Sequence, residues 1–291
     1  MNDILCIGSV LWDMIGRAPS VMRQGSDVPG RITRLPGGVA MNIAMTLARF
    51  GMKPALLSAI GRDEDGNDLI AACDARGLRT DTIYRSDDLP TDRYMAIEGA
   101  NGLIAAIADA HSLEAAGDKI LLPLTDGTLP QPYTGIVALD GNLTPDLLDF
   151  IASGGALTEA DLRVAPASPG KADRLLPFLH RCRGTLYVNV EEAGSLCQAR
   201  FGTAEIAAQA LIDRGAARAL VTDGGRPCAE ANADRIITAT PPEVLVTRVT
   251  GAGDTFMAAH IAAEARGDAP EAALAAALQA AASYVSGETG N

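Results

Sequence analysis

The sequence predicts an α/β fold with a mostly parallel central sheet and a small β lid, and three observations predict it. Short apolar runs alternate with helical patterns along most of the chain. Two stretches, residues 14–35 and 91–109, break that alternation. The 291 residues suffice for one large domain with a substantial core. Strand and helix alternate in a parallel sheet because each crossover has to span the sheet's length, usually as a helix.

Taken in order, "ILCIGSV" reads as the first strand, with Asp13 expected at its end. In "GVAMNIAMTLARFG", Ile43, Leu47 and Phe50 recur at helical spacing, and Gly51 supplies a C-terminal stop. "ALLSAIG" and "GNDLIAACDARG" form the next strand and helix. "GIVALDG", "TPDLLDFIASGG", "TLYVNV", "GTAEIAAQALIDRG" and "ARALVTDGG" continue the pattern. The Ala-rich "APEAALAAALQAAASYVSG" reads as a packed helix with small side chains. Between these units, residues 14–35 are rich in Gly, Pro and Arg, and "TDRYMAIEGANGLIAAIAD" reads as two strands about a Gly-Ala-Asn-Gly turn. The expected division is therefore a core of residues 1–13, 36–90 and 110–291 and a lid of residues 14–35 and 91–109. The lid's sheet edge needs a cover, either the body of the domain or a second copy in a homodimer.

Composition excludes several functions. A net charge of -12 and a pI near 4.7 repel phosphate backbones and anionic lipid, so neither polymeric nucleic acid nor a membrane is an expected partner. The start lacks a basic n-region, no run approaches the roughly 18 apolar residues of a span, and the five scattered cysteines contain no CxxC pair. These features suit a cytoplasmic protein with reduced thiols. Three separated histidines without HExxH, and the lack of GxSxG, argue against a zinc protease or a serine hydrolase.

Glycines and carboxylates remain. In "TRVTGAGDTFMAAH", Gly251, Ala252, Gly253 and Asp254 join a β-rich stretch to a helical one. A Walker A loop fails, because Gly170-Lys171 is followed by Ala172; a dinucleotide fingerprint fails, because Phe256 stands where its third glycine belongs. Two readings stay open: a tight turn capped by Asp254, or main-chain amides facing developing negative charge at a helix start. A carboxylate beside an anion is tolerable if it accepts a proton, and the helix start is expected to favour its ionised form.

This stretch, with "PGGVAMNIAMTLARFG", resembles the two signature regions of the PfkB family of carbohydrate and nucleoside kinases, whose fold is ribokinase-like, a three-layer α/β/α sandwich. "CIGSVLWD", "AIGRDEDGNDL", "DGN" at 140–142, "NVEE" at 189–192 and "LVTDGG" at 220–225 match in family order. The resemblance implies that Asp254 is the general base and that Gly251, Ala252 and Gly253 form the anion hole. It implies that Asp13, Gly37, Gly38 and Asn42 hold sugar hydroxyls. Asn189 and Glu192 would organise ATP phosphate and Mg2+, the latter largely through water; Thr222, Gly224 and Gly225 would begin the nucleotide turn; and Gln279 would line the adenine pocket. A monovalent cation is left open.

"PTDRYMAIEGANGLIAAIADAHSLEAAG" resembles the lid segment of bacterial pseudouridine kinases, with Thr91, Tyr94, the Asn101-Gly102 turn and Asp109 in corresponding places. It implies ATP-dependent phosphorylation of pseudouridine at its 5′-hydroxyl, with Thr91 and Asp109 as substrate contacts. The alternatives are a kinase of ribose, adenosine or another nucleoside, and a non-catalytic nucleoside-binding regulator. Arg248, Pro227 and Ala165 depart from the family pattern near the nucleotide.

Overall fold

A computed structural model describes residues 3–287. The chain opens with β1 (Asp3–Ile7), β2 (Leu11–Arg17), β3 (Arg31–Gly37), α1 (Val39–Arg49), β4 (Lys53–Leu57), β5 (Ala59–Gly61) and α2 (Glu64–Asp74). It continues through β6 (Tyr84–Ser86), β7 (Arg93–Gly99), β8 (Gly102–Asp109), α3 (His111–Ala116), β9 (Ile136–Asp140), α4 (Pro145–Ala152), β10 (Asp161–Ala165) and α5 (Leu176–His180). Then come β11 (Thr185–Asn189), α6 (Val190–Cys197), α7 (Ala204–Asp213), β12 (Arg218–Asp223), β13 (Arg226–Asn232), β14 (Ile236–Ala239), α8 (Ala252–Ala265) and α9 (Pro270–Ser286).

The central sheet runs β14-β13-β12-β11-β10-β9-β1-β4, parallel from β12 to β4 and antiparallel at the β13 and β14 edge. Ile4, Leu5, Cys6 and Ile7 are all buried, as expected for a strand covered on both faces. Leu5 and Ile7 pack with Leu148, Phe178 and Leu211 on one side. Ile4 and Cys6 pack with Met41 and Ile43 of α1, Met257 of α8 and Leu274 of α9 on the other. Three layers result, in agreement with the expected class. Helix α8 is buried from Thr255 through Ala263, and its mostly small side chains allow α1 and α9 to pack close.

A four-stranded sheet, β3-β2-β7-β8, stands off the body. Trp12 Nε1 donates to Asp65 O at 2.9 Å, Arg34 bridges Asp65 and Asp68 of α2, and Arg93 pairs with Asp65. The lid strands extend beyond the expected bounds, to Leu11 and to Gly37. Asp13 therefore lies in β2 of this sheet rather than at the end of the first strand. β1 stops at Ile7, before Gly8, whose φ of +147° suits a glycine turn.

Candidate active site

Two helix starts converge beneath the lid, and a buried carboxylate organises the first. Asp140, at the end of β9, accepts from Ser9 N (2.7 Å), Ser9 Oγ (2.8 Å), Ala40 N (3.1 Å) and Asn142 N (2.8 Å). Burial raises its pKa and these donors oppose the rise. A Cβ on Gly8 would lie 2.2 Å from the Asp140 carboxyl carbon, so glycine is required there. Ser9 Oγ also accepts from Val39 N at 2.9 Å, which fixes the start of α1 after Gly38. The "DGN" match was the available signal for Asp140, but its spelling does not reveal this bracing role.

Asn42, one turn into α1, donates from Nδ2 to Asp254 Oδ2 at 2.8 Å. Asp254 lies in the first turn of α8 behind Gly251, whose φ is +90° and whose added Cβ would meet the Tyr284 hydroxyl at 2.5 Å. Gly253 differs: a Cβ there meets nothing within 4 Å. Glycine is a poor helix former, so no packing reason keeps it at this position. Burial pushes Asp254 up to about 7; the Asn42 hydrogen bond opposes this, while the charges of Asp140, Asp13 and Glu192 add to it. This corrects the expectation that the helix start keeps the carboxyl readily ionised, because desolvation outweighs it. Farther along α8, His260 is fully buried and its Nδ1 lies 2.8 Å from the Tyr187 hydroxyl, pinning the helix to β11.

Asp13 sits directly over Gly37, whose Cβ would fall 2.1 Å from its carboxyl. Burial raises Asp13 to about 6. Residues opposite one another in a sheet share a face. Asp13, Leu35, Tyr94 and Ala108 therefore lie on one face, and Trp12, Pro36, Arg93 and Asp109 on the other. Asp109 thus turns away from Asp13, and its carboxylate pairs with His111 at 2.7 Å. Thr91 is buried, with its amide and hydroxyl both on Asp63, the cap of α2. The ordinary structural use of Thr91 accounts for its contacts. Tyr94, omitted from the expected site residues, shares the face of Asp13.

A cavity of about 660 Å³ opens beside these groups, lined by Asn189, Glu192, Thr222, Gly224, Gly225, Ala252, Gly253 and Asp254. Its apolar end is walled by Val246, Val249, Leu278, Ala281, Ala282 and Val285. Gln279 is exposed, with Nε2 3.4 Å from Ser283 Oγ, and does not line it. The 3.6-residue period puts 278, 281, 282 and 285 on one stripe of α9, and position 279 falls about 100° away from 278. Ala165 lines the cavity, while Pro227 sits beside a register shift between Val221 and Asp223, where a missing amide is tolerated.

Asn189 and Glu192 form a reciprocal capping box on α6: Glu192 N donates to Asn189 Oδ1 at 2.9 Å, and Asn189 N to Glu192 Oε2 at 2.8 Å. Burial raises Glu192 to about 7. Among the described residues no cluster of three or more His, Cys, Asp or Glu is arranged to hold a metal ion. One carboxylate whose Oε1 lies outside the capping box, at the wall of this cavity, fits Mg2+ held mainly by water and phosphate, as that ion prefers.

Known proteins resemble this chain over nearly its whole length. A sequence model described as pfkB family carbohydrate kinase matches residues 1–290. Pseudouridine kinase of Escherichia coli is 29% identical over 261 residues, 88% of this chain and 81% of that protein. Ribokinase of Bacillus subtilis is 26% identical over 289 residues, 97% and 92% of the two chains. The structure of Arabidopsis thaliana ribokinase complexed with ribose and ATP superposes with a TM-score of 0.77 at 22% identity, covering 98% of this chain and 92% of that one.

Proposed function

The chain belongs to the PfkB family of carbohydrate kinases, and we propose that it transfers the γ-phosphoryl group of ATP to the 5′-hydroxyl of pseudouridine, giving pseudouridine 5′-phosphate and ADP. The observation that carries the kinase chemistry is the Asn42–Asp254 bond at the junction of two helix starts, beside Gly253 and the open cavity. The pseudouridine relative and the lid segment that resembles it support the acceptor. Tyr94 adds an aromatic surface, opposite Asp13, for a uracil ring.

In this reading Asp13, the backbone at Gly37 and Gly38, and the Asn42 side chain hold the ribosyl hydroxyls. The 5′-hydroxyl then points at Asp254, which removes its proton as the oxygen attacks in line. Amides of Gly251, Ala252 and Gly253 face the charge on the transferred group. Asn189, Thr222, Gly224 and Gly225 hold the nucleotide, with the α9 stripe against the base. Mg2+, near Glu192, supplies charge neutralisation on the phosphates when bound.

An ADP-release screen over pseudouridine, uridine, adenosine, ribose and fructose 6-phosphate tests this. A kcat/KM for pseudouridine at least about 100-fold above that for ribose is expected; preference for ribose would replace the acceptor. Ribose is the second reading, favoured by the ribokinase relative that spans 97% of the chain. Turnover of any acceptor removes the idle regulator. Fructose 6-phosphate is disfavoured because three of the five lid arginines are compensated, Arg34 and Arg93 by Asp65 and Arg17 by Glu98.

The lid also supports a homodimer. On the face away from Asp13, Ile32, Met95, Ile97 and Ile107 are 75%, 51%, 40% and 69% exposed. The register puts them on one side of the sheet, where a second copy would bury them. Sedimentation at twice the monomer mass is expected, and a monomer at micromolar concentration counts against it. Among the described residues no helix is long and apolar enough to cross a membrane.

A further inference from the structure

Arg248 does not line the cavity, although its neighbours Val246 and Val249 do. It turns instead to the last turn of α9. Its Nε donates to Tyr284 O at 2.7 Å, and its guanidinium lies 3.9 Å from the centroid of the Tyr284 ring. Backbone amides of Thr247 and Arg248 both donate to Val285 O, at 2.8 and 3.2 Å. Tyr284 closes the circuit by donating its hydroxyl to Thr250 O at 2.8 Å. That same hydroxyl occupies the space a Cβ on Gly251 would need.

The last carbonyls of a helix lack partners within it and carry the negative end of its dipole, so they attract a cation. The planar guanidinium of arginine can meet a carbonyl and an aromatic face together. Here the cation comes from the loop that leads into Gly251, so the loop is referenced to α9 from one side and to α8 from the other. Amides facing a developing charge are effective when they need no reorganisation during the reaction.

We infer that Arg248 is a positioning residue for phosphoryl transfer, clamping with Tyr284 the loop that sets the Gly251–Gly253 amides and supplying from the chain itself the cation that the α9 carbonyls attract. Turnover accordingly requires no added monovalent cation. The inference rests on the kinase reading above.

The test compares wild type, Arg248→Ala, Arg248→Lys and Tyr284→Phe in the full chain, with steady-state kinetics and thermal melting. In Arg248→Ala, kcat falls about 10- to 100-fold with acceptor KM within about threefold, because the loss falls on the transition state. Arg248→Lys recovers part of the rate, since an ammonium reaches the same carbonyl but cannot stack a plane on the Tyr284 ring, and Tyr284→Phe loses about threefold or more. Wild-type kcat is equal in potassium, sodium and tetramethylammonium chloride at one ionic strength. A wild-type rate in Arg248→Ala, or a wild-type enzyme that needs potassium, overturns the proposal. So does a loss that lysine fails to recover and that tracks a lowered melting temperature. If wild type phosphorylates no acceptor in the panel, the kinase reading itself fails. Hydrogen exchange of the 247–253 amides then judges the clamp separately, and unchanged protection in Arg248→Ala overturns it.

Discussion

Asn42 and Asp254, 212 positions apart in the chain, meet through a 2.8 Å hydrogen bond that favours the ionised carboxylate at the start of α8 and partly opposes the effect of burial. Asp254→Asn is expected to keep acceptor binding and to lose turnover by about 10³-fold or more. Calorimetric binding of the acceptor alongside steady-state rates checks this.

As the proposed base Asp254 works deprotonated, and burial raises it to about 7, so kcat/KM is expected to rise with pH through about 7 and flatten above it. Removing the donor with Asn42→Ala moves that acid limb to higher pH, by about one unit. A limb that stays in place in pH–rate profiles of both proteins would separate Asn42 from the base.

Asp254 and Glu192 are both raised, to about 7, in the folded chain. The unfolded chain ionises them near 4, so the stability contributed by their protonated forms is full below about pH 4 and is lost as pH rises through 7. Asp254→Asn removes one such cost and is expected to raise the melting temperature at pH 8 by about 2–6 °C, the gain shrinking toward pH 4. Melting curves across that range measure it.

Two glycines two positions apart at the start of α8 are expected to fail differently. Gly253→Ala leaves stability unchanged or improves it by about 0.5 kcal/mol, since its Cβ meets open space, while turnover drops about 10²-fold. Gly251→Ala costs about 1–3 kcal/mol, because the residue holds a φ of +90° against the Tyr284 hydroxyl. Urea unfolding paired with kcat distinguishes the two.

Asp140→Ala strands the donors of Ser9, Ala40 and Asn142, and a loss of about 2–4 kcal/mol is expected in denaturant unfolding. Activity falls with it, since the same carboxylate positions the start of α1.

The layers were legible because their signals are local. The apolar run Ile4–Ile7, the Ile43 and Leu47 spacing and the Gly251–Asp254 junction are carried by neighbours along the chain, whereas Phe50, read as part of the same stripe, caps α1 and is 43% exposed. Asp109 was not legible: the face it takes depends on the register of β8 on β7 and of β7 on β2, and a one-residue difference reverses it. Gln279 missed the cavity by one helical step, a matter of how α9 is rotated against the body.

By itself, then, the sequence determined a parallel α/β chain with an inserted lid and an aspartate behind a glycine pair at a helix start. Tertiary structure alone decided that Asn42 reaches Asp254, that Asp140 braces one helix start and Arg248 the loop before the other, and that burial raises the Asp254 carboxyl toward neutrality. The reason is physical: hydrophobic periodicity acts between residues a few positions apart, whereas desolvation and hydrogen bonding depend on which distant residues the completed fold brings within 3 Å.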